Sequence, residues 1–248
     1  MVNHMLTALE RDGQLKSGCV CSYVFQPVIK LETGYTDHVE MLTRLNYGSC
    51  VSVEEFFTDV EQGDSILSYD FSNLLRACFL LSCVSSGELH PGMSVNISTR
   101  SIADPWLQTF VQHRLHELLV APDQLIIEIT ETSRVLSRRV LKQFAQTIQE
   151  AGFRLAFDDF GTGHHNFEDI LLVRPDIVKI DGQWLKNPGQ CMSGGNYNLA
   201  DTVRILKGLG ITLVAEHISN KEMYETALSY GFDLIQGNFL ARPRQFPF

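Results

Sequence analysis

The sequence predicts an α/β protein, a TIM-type (β/α)8 barrel with an antiparallel first strand. Three observations lead there. Short apolar, β-branched runs alternate with longer amphipathic stretches, as in a sheet whose strands are joined by helices. The length of 248 residues suits one such barrel. No G-x-G-x-x-G follows the first strand-like run, which disfavours the open dinucleotide-binding sheet. Hydrophobic residues make up 44% and charged residues 20% of the chain, ordinary globular proportions.

The elements follow in order. Residues 1–18 carry Glu10, Arg11, Asp12 and Lys16 and read as an N-terminal tail or short helix, without the apolar core of a signal peptide. The barrel takes residues 19–248, with no linker dividing it. Strand-like runs fall at 23–29, 38–42, 93–97, 125–129, 154–157, 177–180, 211–215 and 234–236. The connection at 31–37 is too short for a crossover helix, so the first two runs predict a hairpin. The most apolar run, 74–84, is interrupted by Arg76 and is too short to span a bilayer. Cys78 and Cys83 read as small core residues there.

Four helices are predicted by period. Residues 105–119 place Trp106, Phe110 and Leu118 on one side, and Asp104 caps the helix before a first-turn proline. Residues 133–151 align Leu136, Val140, Phe144 and Ile148. Residues 199–208 end at a glycine, and 221–230 end before Gly231. The stretch 187–196 reads as a long loop.

Polar residues recur near the strand ends. Glu40 is late in the second run and Asn96 is near the end of the third. Glu128 is late in the fourth, Asp158 and Asp159 end the fifth, and Lys179 is near the end of the sixth. Glu216 closes the seventh and Gln236 the eighth. A barrel gathers all of these at one mouth. Taken singly, a strand-end Glu is usually a solvated surface group, and Asp158-Asp159-Phe160-Gly161 reads equally as a simple turn. The recurrence at successive strand ends favours a site. Carboxylates crowded in one pocket raise each other's pKa, and divalent cations relieve that. Oxygen ligands without His or Cys favour Mg²⁺ or Mn²⁺ over Zn²⁺. The adjacent Asp158 and Asp159 predict two ions, a clamp suited to in-line displacement at a phosphodiester.

These residues sit in motifs that resemble the EAL-domain family, the cyclic-di-GMP phosphodiesterases. Phe25-Gln26-Pro27-Val28 is similar to its opening F-Q-P-I, and Glu40-Met41-Leu42-Thr43-Arg44 to E-x-L-x-R. Val95-Asn96-Ile97-Ser98, Glu128-Ile129-Thr130-Glu131 and Asp158-Asp159-Phe160-Gly161-Thr162-Gly163 follow in order. Lys179-Ile180-Asp181, Ala215-Glu216 and Gln236-Gly237 complete the match over residues 20–243. The resemblance implies hydrolysis of cyclic di-GMP to linear pGpG with two Mg²⁺ or Mn²⁺. It implies Glu40, Asn96, Glu128 and Asp158 as ligands of one ion. The other would be held by Asp158, Asp159 and Glu216, with Asp181 in support. Lys179 would position or deprotonate the attacking water, and Gln236 would orient that water or Glu216. Gln26 and Arg44 would touch substrate, Arg44 through a guanidinium fork on a phosphate. Glu131 would pin the loop after Asp159.

Two departures stand out. Where the family continues A-E-G-V-E-T, this chain has Ala215-Glu216-His217-Ile218-Ser219-Asn220. Bulk at His217 and the carboxylate missing at Ser219 are expected to disturb the second ion. In the loop after Asp159 stand His164 and His165, a pH-sensitive pair on one reading and plain surface residues on the preferred one. The competing function is a catalytically weak receptor that binds cyclic di-GMP or a protein partner and signals by conformation. The filled ligand positions favour the enzyme.

Partners and compartment follow from charge and cysteines. A net charge of −9 argues against DNA or RNA polymers as ligands. No membrane partner is expected. The scattered cysteines suit a reducing cytoplasm, and Cys19-Val20-Cys21 alone cannot close a zinc site. The family resemblance implies a homodimer. No GGDEF-like or sensor motif is found, so the expectation is a barrel that stands alone or a catalytic portion of something longer.

Overall fold

The computed structural model describes residues 20–46, 66–83, 91–113, 120–130, 137–162, 166–192 and 197–245. Eight strands close into one barrel in sequence order. They are β1 (Val20–Lys30), β2 (Thr36–Asn46), β3 (Gly92–Ser98), β4 (Leu125–Thr130), β5 (Arg154–Phe160), β6 (Ile177–Ile180), β7 (Thr212–Ala215) and β8 (Leu234–Ile235). β1 is antiparallel to both of its neighbours, β2 and β8. Every other pairing is parallel. The hairpin expected from the short first connection is present. It turns at Gly34, whose φ of 73° glycine adopts without a Cβ clash and whose N–H donates to Lys30 O at 2.8 Å.

The helices are α1 (Ile66–Cys83), α2 (Thr99–Ile102), α3 (Pro105–His113), α4 (Arg138–Glu150), α5 (Phe167–Val173), α6 (Gln183–Lys186), α7 (Leu199–Gly208) and α8 (Lys221–Tyr230). α7 and α8 have the expected bounds, each capped by an asparagine whose side chain accepts a backbone N–H, Asn198 from Asp201 and Asn220 from Met223. Asp104 caps α3 as expected, accepting from Trp106 N at 2.7 Å. α4 buries Leu141, Phe144, Ala145 and Ile148, one stripe at helical spacing. None of these helices is long and apolar enough to cross a membrane.

Three details correct the sequence reading. The buried stripe of α3 is Leu107 and Val111, not the aromatic side. Trp106 is 52% exposed and packs edge-on against Phe71 of α1 at 4.3 Å. Cys78 is buried, but Cys83, the last residue of α1, is exposed. β2 runs four residues past its expected end, so Glu40 lies in mid-strand. The short helices α2, α5 and α6 escaped detection because one or two turns cannot establish a period.

The core has two parts. Helices pack on the outside of the strands around Leu74, Phe144, Phe157 and their neighbours. Inside, Val28, Ile126, Ala156, Ile177, Val214 and Leu234 form a separate apolar plug. Strand side chains repeat every two residues. Two positions after the plug residues of β4 to β8 stand Glu128, Asp158, Lys179, Glu216 and Gln236. The alternation that fills the barrel floor therefore also aims the polar residues into its mouth. β1 runs the opposite way, and there Gln26 lies two positions before Val28.

Candidate active site

The mouth is lined by Gln26, Glu40, Asp158, Asp159, Lys179 and Glu216, with Leu42 and Asn238 among its walls. Lys179 is its centre. Its Nζ lies 2.7 Å from Glu128 Oε2, 2.8 Å from Asp158 Oδ1, 2.8 Å from Glu216 Oε1 and 3.3 Å from Glu40 Oε2. Burial alone would strip its proton, yet the four carboxylates hold its pKa well above the usual value, so it is an ammonium. Asn96 Nδ2 donates to Glu40 Oε1 at 2.9 Å, and Gln236 Nε2 to Glu40 Oε2 at 2.7 Å. Against burial, these partners and Lys179 keep Glu40 below its ordinary pKa.

One ammonium cannot neutralise the rest. Burial pushes Glu128 up to about 8, with Glu40 and Asp158 adding to the rise. Burial, then Asp158, lifts Asp159 to about 6. Glu216 is likewise raised, first by burial.

Local backbone explains how neighbouring residues serve one site. In a regular strand Asp158 and Asp159 point to opposite faces. Here the β5–β6 register shifts between Phe157 and Phe160, and Asp159 takes a left-handed φ of 49°. Both carboxylates then reach the mouth, where oxygens of Asp158, Asp159 and Glu216 lie within 4.8 Å of one another. Gln236 is set by Gly237, where a Cβ would sit 2.2 Å from Ile218 O.

The residues fit a cation. Asn96 Oδ1, Glu128 Oε1, Glu216 Oε2 and Gln236 Oε1 are buried and have no hydrogen-bond donor. All four are oxygens: Glu216 and Gln236 line the acidic mouth, and Asn96 and Glu128 bond to its residues Glu40 and Lys179. Unsatisfied acceptors of this kind are costly, and a bound cation satisfies them together.

Glu40, Asn96, Glu128, Asp158, Asp159, Lys179, Glu216 and Gln236 are thus brought together as the sequence predicted. Gln26 joins them, accepting from Gln236 Nε2 at 3.4 Å and donating to Ala241 O at 3.1 Å. Gln236 donates to Glu40, and no hydrogen bond joins it to Glu216 among the described residues. Arg44 lies further up β2, exposed, with Nη1 donating to Thr43 O at 2.9 Å. Asp181 sits beside the mouth, accepting from Gln183 N at 2.7 Å and paired with His217 Nδ1 at 2.6 Å. Glu131, His164, His165 and Cys19 lie outside the described residues. Leu42 was missed as a wall residue, although its place two positions after Glu40 marks the same face.

The departures resolve locally. His217 has φ 53°, the left-handed region where glycine is at ease. It adopts this conformation, and its ring turns to Asp181. Beside it, Glu216 Oε1 lies 2.8 Å from Lys179 Nζ. Ser219 Oγ donates to Met223 Sδ at 3.3 Å, turned to α8.

Comparison with known proteins agrees with this architecture. A family model described as EAL domain matches residues 10–243. The probable cyclic di-GMP phosphodiesterase PdeA of Escherichia coli K12 is 26% identical over 98% of this chain, and the cyclic di-GMP phosphodiesterase PdeF of the same organism 28% identical over 61%. The chain spans 32% of the length of the former and 20% of the latter. BlrP1 of Klebsiella pneumoniae, solved as a calcium and cyclic-di-GMP complex, superposes with a TM-score of 0.72 at 25% identity, covering 94% of this chain and 57% of that one. With motifs, barrel and acidic mouth in agreement, the chain belongs to the EAL domain family.

Proposed function

We propose that the chain hydrolyses one phosphodiester of cyclic di-GMP, giving linear pGpG, with two divalent ions, Mg²⁺ or Mn²⁺. The observation that carries this reading is the set of four buried, donorless oxygens around the mouth. Relatives named as cyclic di-GMP phosphodiesterases support the substrate.

Glu40, Asn96, Glu128 and Asp158 would hold one ion, and Asp158, Asp159 and Glu216 the other. Bound there, the ions supply Lewis-acid polarisation at phosphorus and a water of lowered pKa. The chain's own residues do the rest. Lys179, an ammonium in the metal-free mouth, orients the four carboxylates around it, and with ions on those carboxylates its Nζ would turn to position the attacking water. Gln236 fixes Glu40. Gln26 presents its amide at the rim. Arg44, with an exposed guanidinium, is free to meet a phosphate. The apolar plug below the site keeps water from entering through the barrel floor.

A second reading is a catalytically weak receptor for the same nucleotide. Its support is Ser219, which bonds Met223 and brings no carboxylate to the second ion. Incubation with cyclic di-GMP and Mn²⁺ or Mg²⁺, read by chromatography, separates the two. Formation of pGpG, lost in Glu40→Ala and without metal, is the expected result. Binding without turnover sinks the enzyme reading and leaves the receptor.

A further inference from the structure

We propose that the hydroxyls of Tyr23 and Tyr69 clasp a two-stranded ribbon to α1 and thereby position Arg44 over the mouth for the nucleotide. The inference rests on the reading of this mouth as a cyclic di-GMP site. β1 and β2 pair with each other over nearly their whole length. The barrel uses only part of them: β8 pairs with Ile29 and Lys30, and β3 with His38, Val39 and Glu40. Towards the mouth, residues 20–28 and 41–46 have no third strand among the described residues, apart from one bridge between Phe25 and Arg244. They form a ribbon beyond the closed part of the barrel. A two-stranded ribbon is marginal in water on its own.

The two faces of the ribbon have different tasks. Gln26, Glu40 and Leu42 line the mouth, and Arg44, two positions after Leu42, follows on the same face. Tyr23, Phe25, Met41 and Thr43 alternate onto the other face. There Phe25 and Met41 join the apolar core that includes Leu74 and Cys78 of α1. Further out the contacts are polar. Tyr23 OH donates to Asn73 Oδ1 at 3.0 Å, and Tyr69 OH to Thr43 Oγ1 at 2.6 Å. The Arg76 guanidinium lies 4.5 Å from the centroid of the Tyr23 ring. α1 is itself fixed to the barrel, because buried Asp70 accepts the N–H of Ser98, the last residue of β3, at 2.8 Å.

Direction is what the two hydroxyls add. Apolar burial is non-directional, whereas a hydrogen bond weakens as its distance and angle change. Asn73 is buried, so its amide oxygen has a strong need for the Tyr23 hydroxyl. Thr43 precedes Arg44, and Arg44 Nη1 donates to Thr43 O at 2.9 Å. Tyr69 therefore grips the residue on which the guanidinium rests. Neither tyrosine lines the mouth, so both act through the ribbon.

Tyr23→Phe and Tyr69→Phe each remove one hydroxyl and keep the ring. Hydrogen exchange on the full chain is expected to quicken at least about threefold at the amides of residues 20–26 and 41–46, with β4 and β5 unchanged. Cyclic di-GMP affinity is read as KM with Mn²⁺ where the chain turns over, and as calorimetric Kd where it only binds. It is expected to weaken about three- to tenfold, the range of one net hydrogen bond. Turnover and Mn²⁺ affinity are expected to hold within about twofold, because no ion ligand is altered. Thr43→Val added to Tyr69→Phe is expected to weaken binding no further, since both remove the same bond. Arg44→Ala is the control for the underlying reading. Unchanged exchange in both tyrosine variants overturns the proposal. So does parental nucleotide affinity in both beside a weakened Arg44→Ala, an additive loss in the Thr43→Val double variant, or Mn²⁺ affinity that falls in step with the nucleotide. A parent that does not bind the nucleotide, or Arg44→Ala at parental affinity, sinks the underlying reading and the positioning role with it, and the exchange data then show separately whether the tyrosines hold the ribbon.

Discussion

Glu128→Gln in the metal-free protein gives a signed test of the site's electrostatics. Glu128 is fully buried, its Oε1 has no donor, and burial pushes its pKa up to about 8 from an ordinary value near 4.5. The folded state therefore keeps a proton that the unfolded chain has lost. A raised carboxyl pKa contributes stability that is complete below about pH 4.5 and disappears as pH rises through about 8. Within that window each pH unit costs the folded state about 1.4 kcal/mol from this group. Glutamine has the same shape and no proton to lose. Urea unfolding in EDTA at pH 5, 6 and 7 reads the difference. Glu128→Gln is expected to gain on the parent by about 1.4 kcal/mol per pH unit, about 2.7 kcal/mol between pH 5 and pH 7. Added Mn²⁺ should narrow the gap: it stabilises the parent by about 2.7 kcal/mol at a hundredfold excess over Kd, and the variant by less. Parallel stability curves for the two proteins would refute the reasoning, since Glu128 would then be ionised in the folded state.

Two more changes bear on the same framework. Lys179→Met leaves four carboxylates, three of them buried, without their shared cation and is expected to cost about 3–5 kcal/mol in EDTA by urea unfolding; a loss below about 1 kcal/mol would mean that the ammonium does not hold the cluster. Gly237→Ala places a Cβ 2.2 Å from Ile218 O, so it is expected to destabilise by more than about 1 kcal/mol and to lower pGpG formation together with it; a thermal melt unchanged from the parent would show that the 218 loop yields freely.

Much of this protein was legible in its residues, for reasons that differ by element. The strands announced themselves through β-branched runs, and the site through polar residues spaced two positions beyond apolar ones. A barrel converts that spacing into a single mouth, as Ala156 and Asp158, or Ile177 and Lys179, illustrate. Helix ends at Gly208 and before Gly231 were readable because capping chemistry is local. Trp106 was misplaced because periodicity alone does not say which of two adjoining faces meets the sheet. The far end of β2 was missed because its pairing with β1 depends on the hairpin, not on its own pattern.

By itself, then, the sequence determined the eight strands and their order, the capped helices α3, α7 and α8, and which side chains carry charge at the strand ends, since propensity, period and capping act over a few residues. Only the tertiary structure decided how those charges share protons and partners. That Lys179 stands among four carboxylates, that Glu128 is pushed to about 8, and that Asp159 and His217 turn to the rim through left-handed backbone are outcomes of closure. They depend on distances and burial between strands far apart in the chain, which local pattern does not encode.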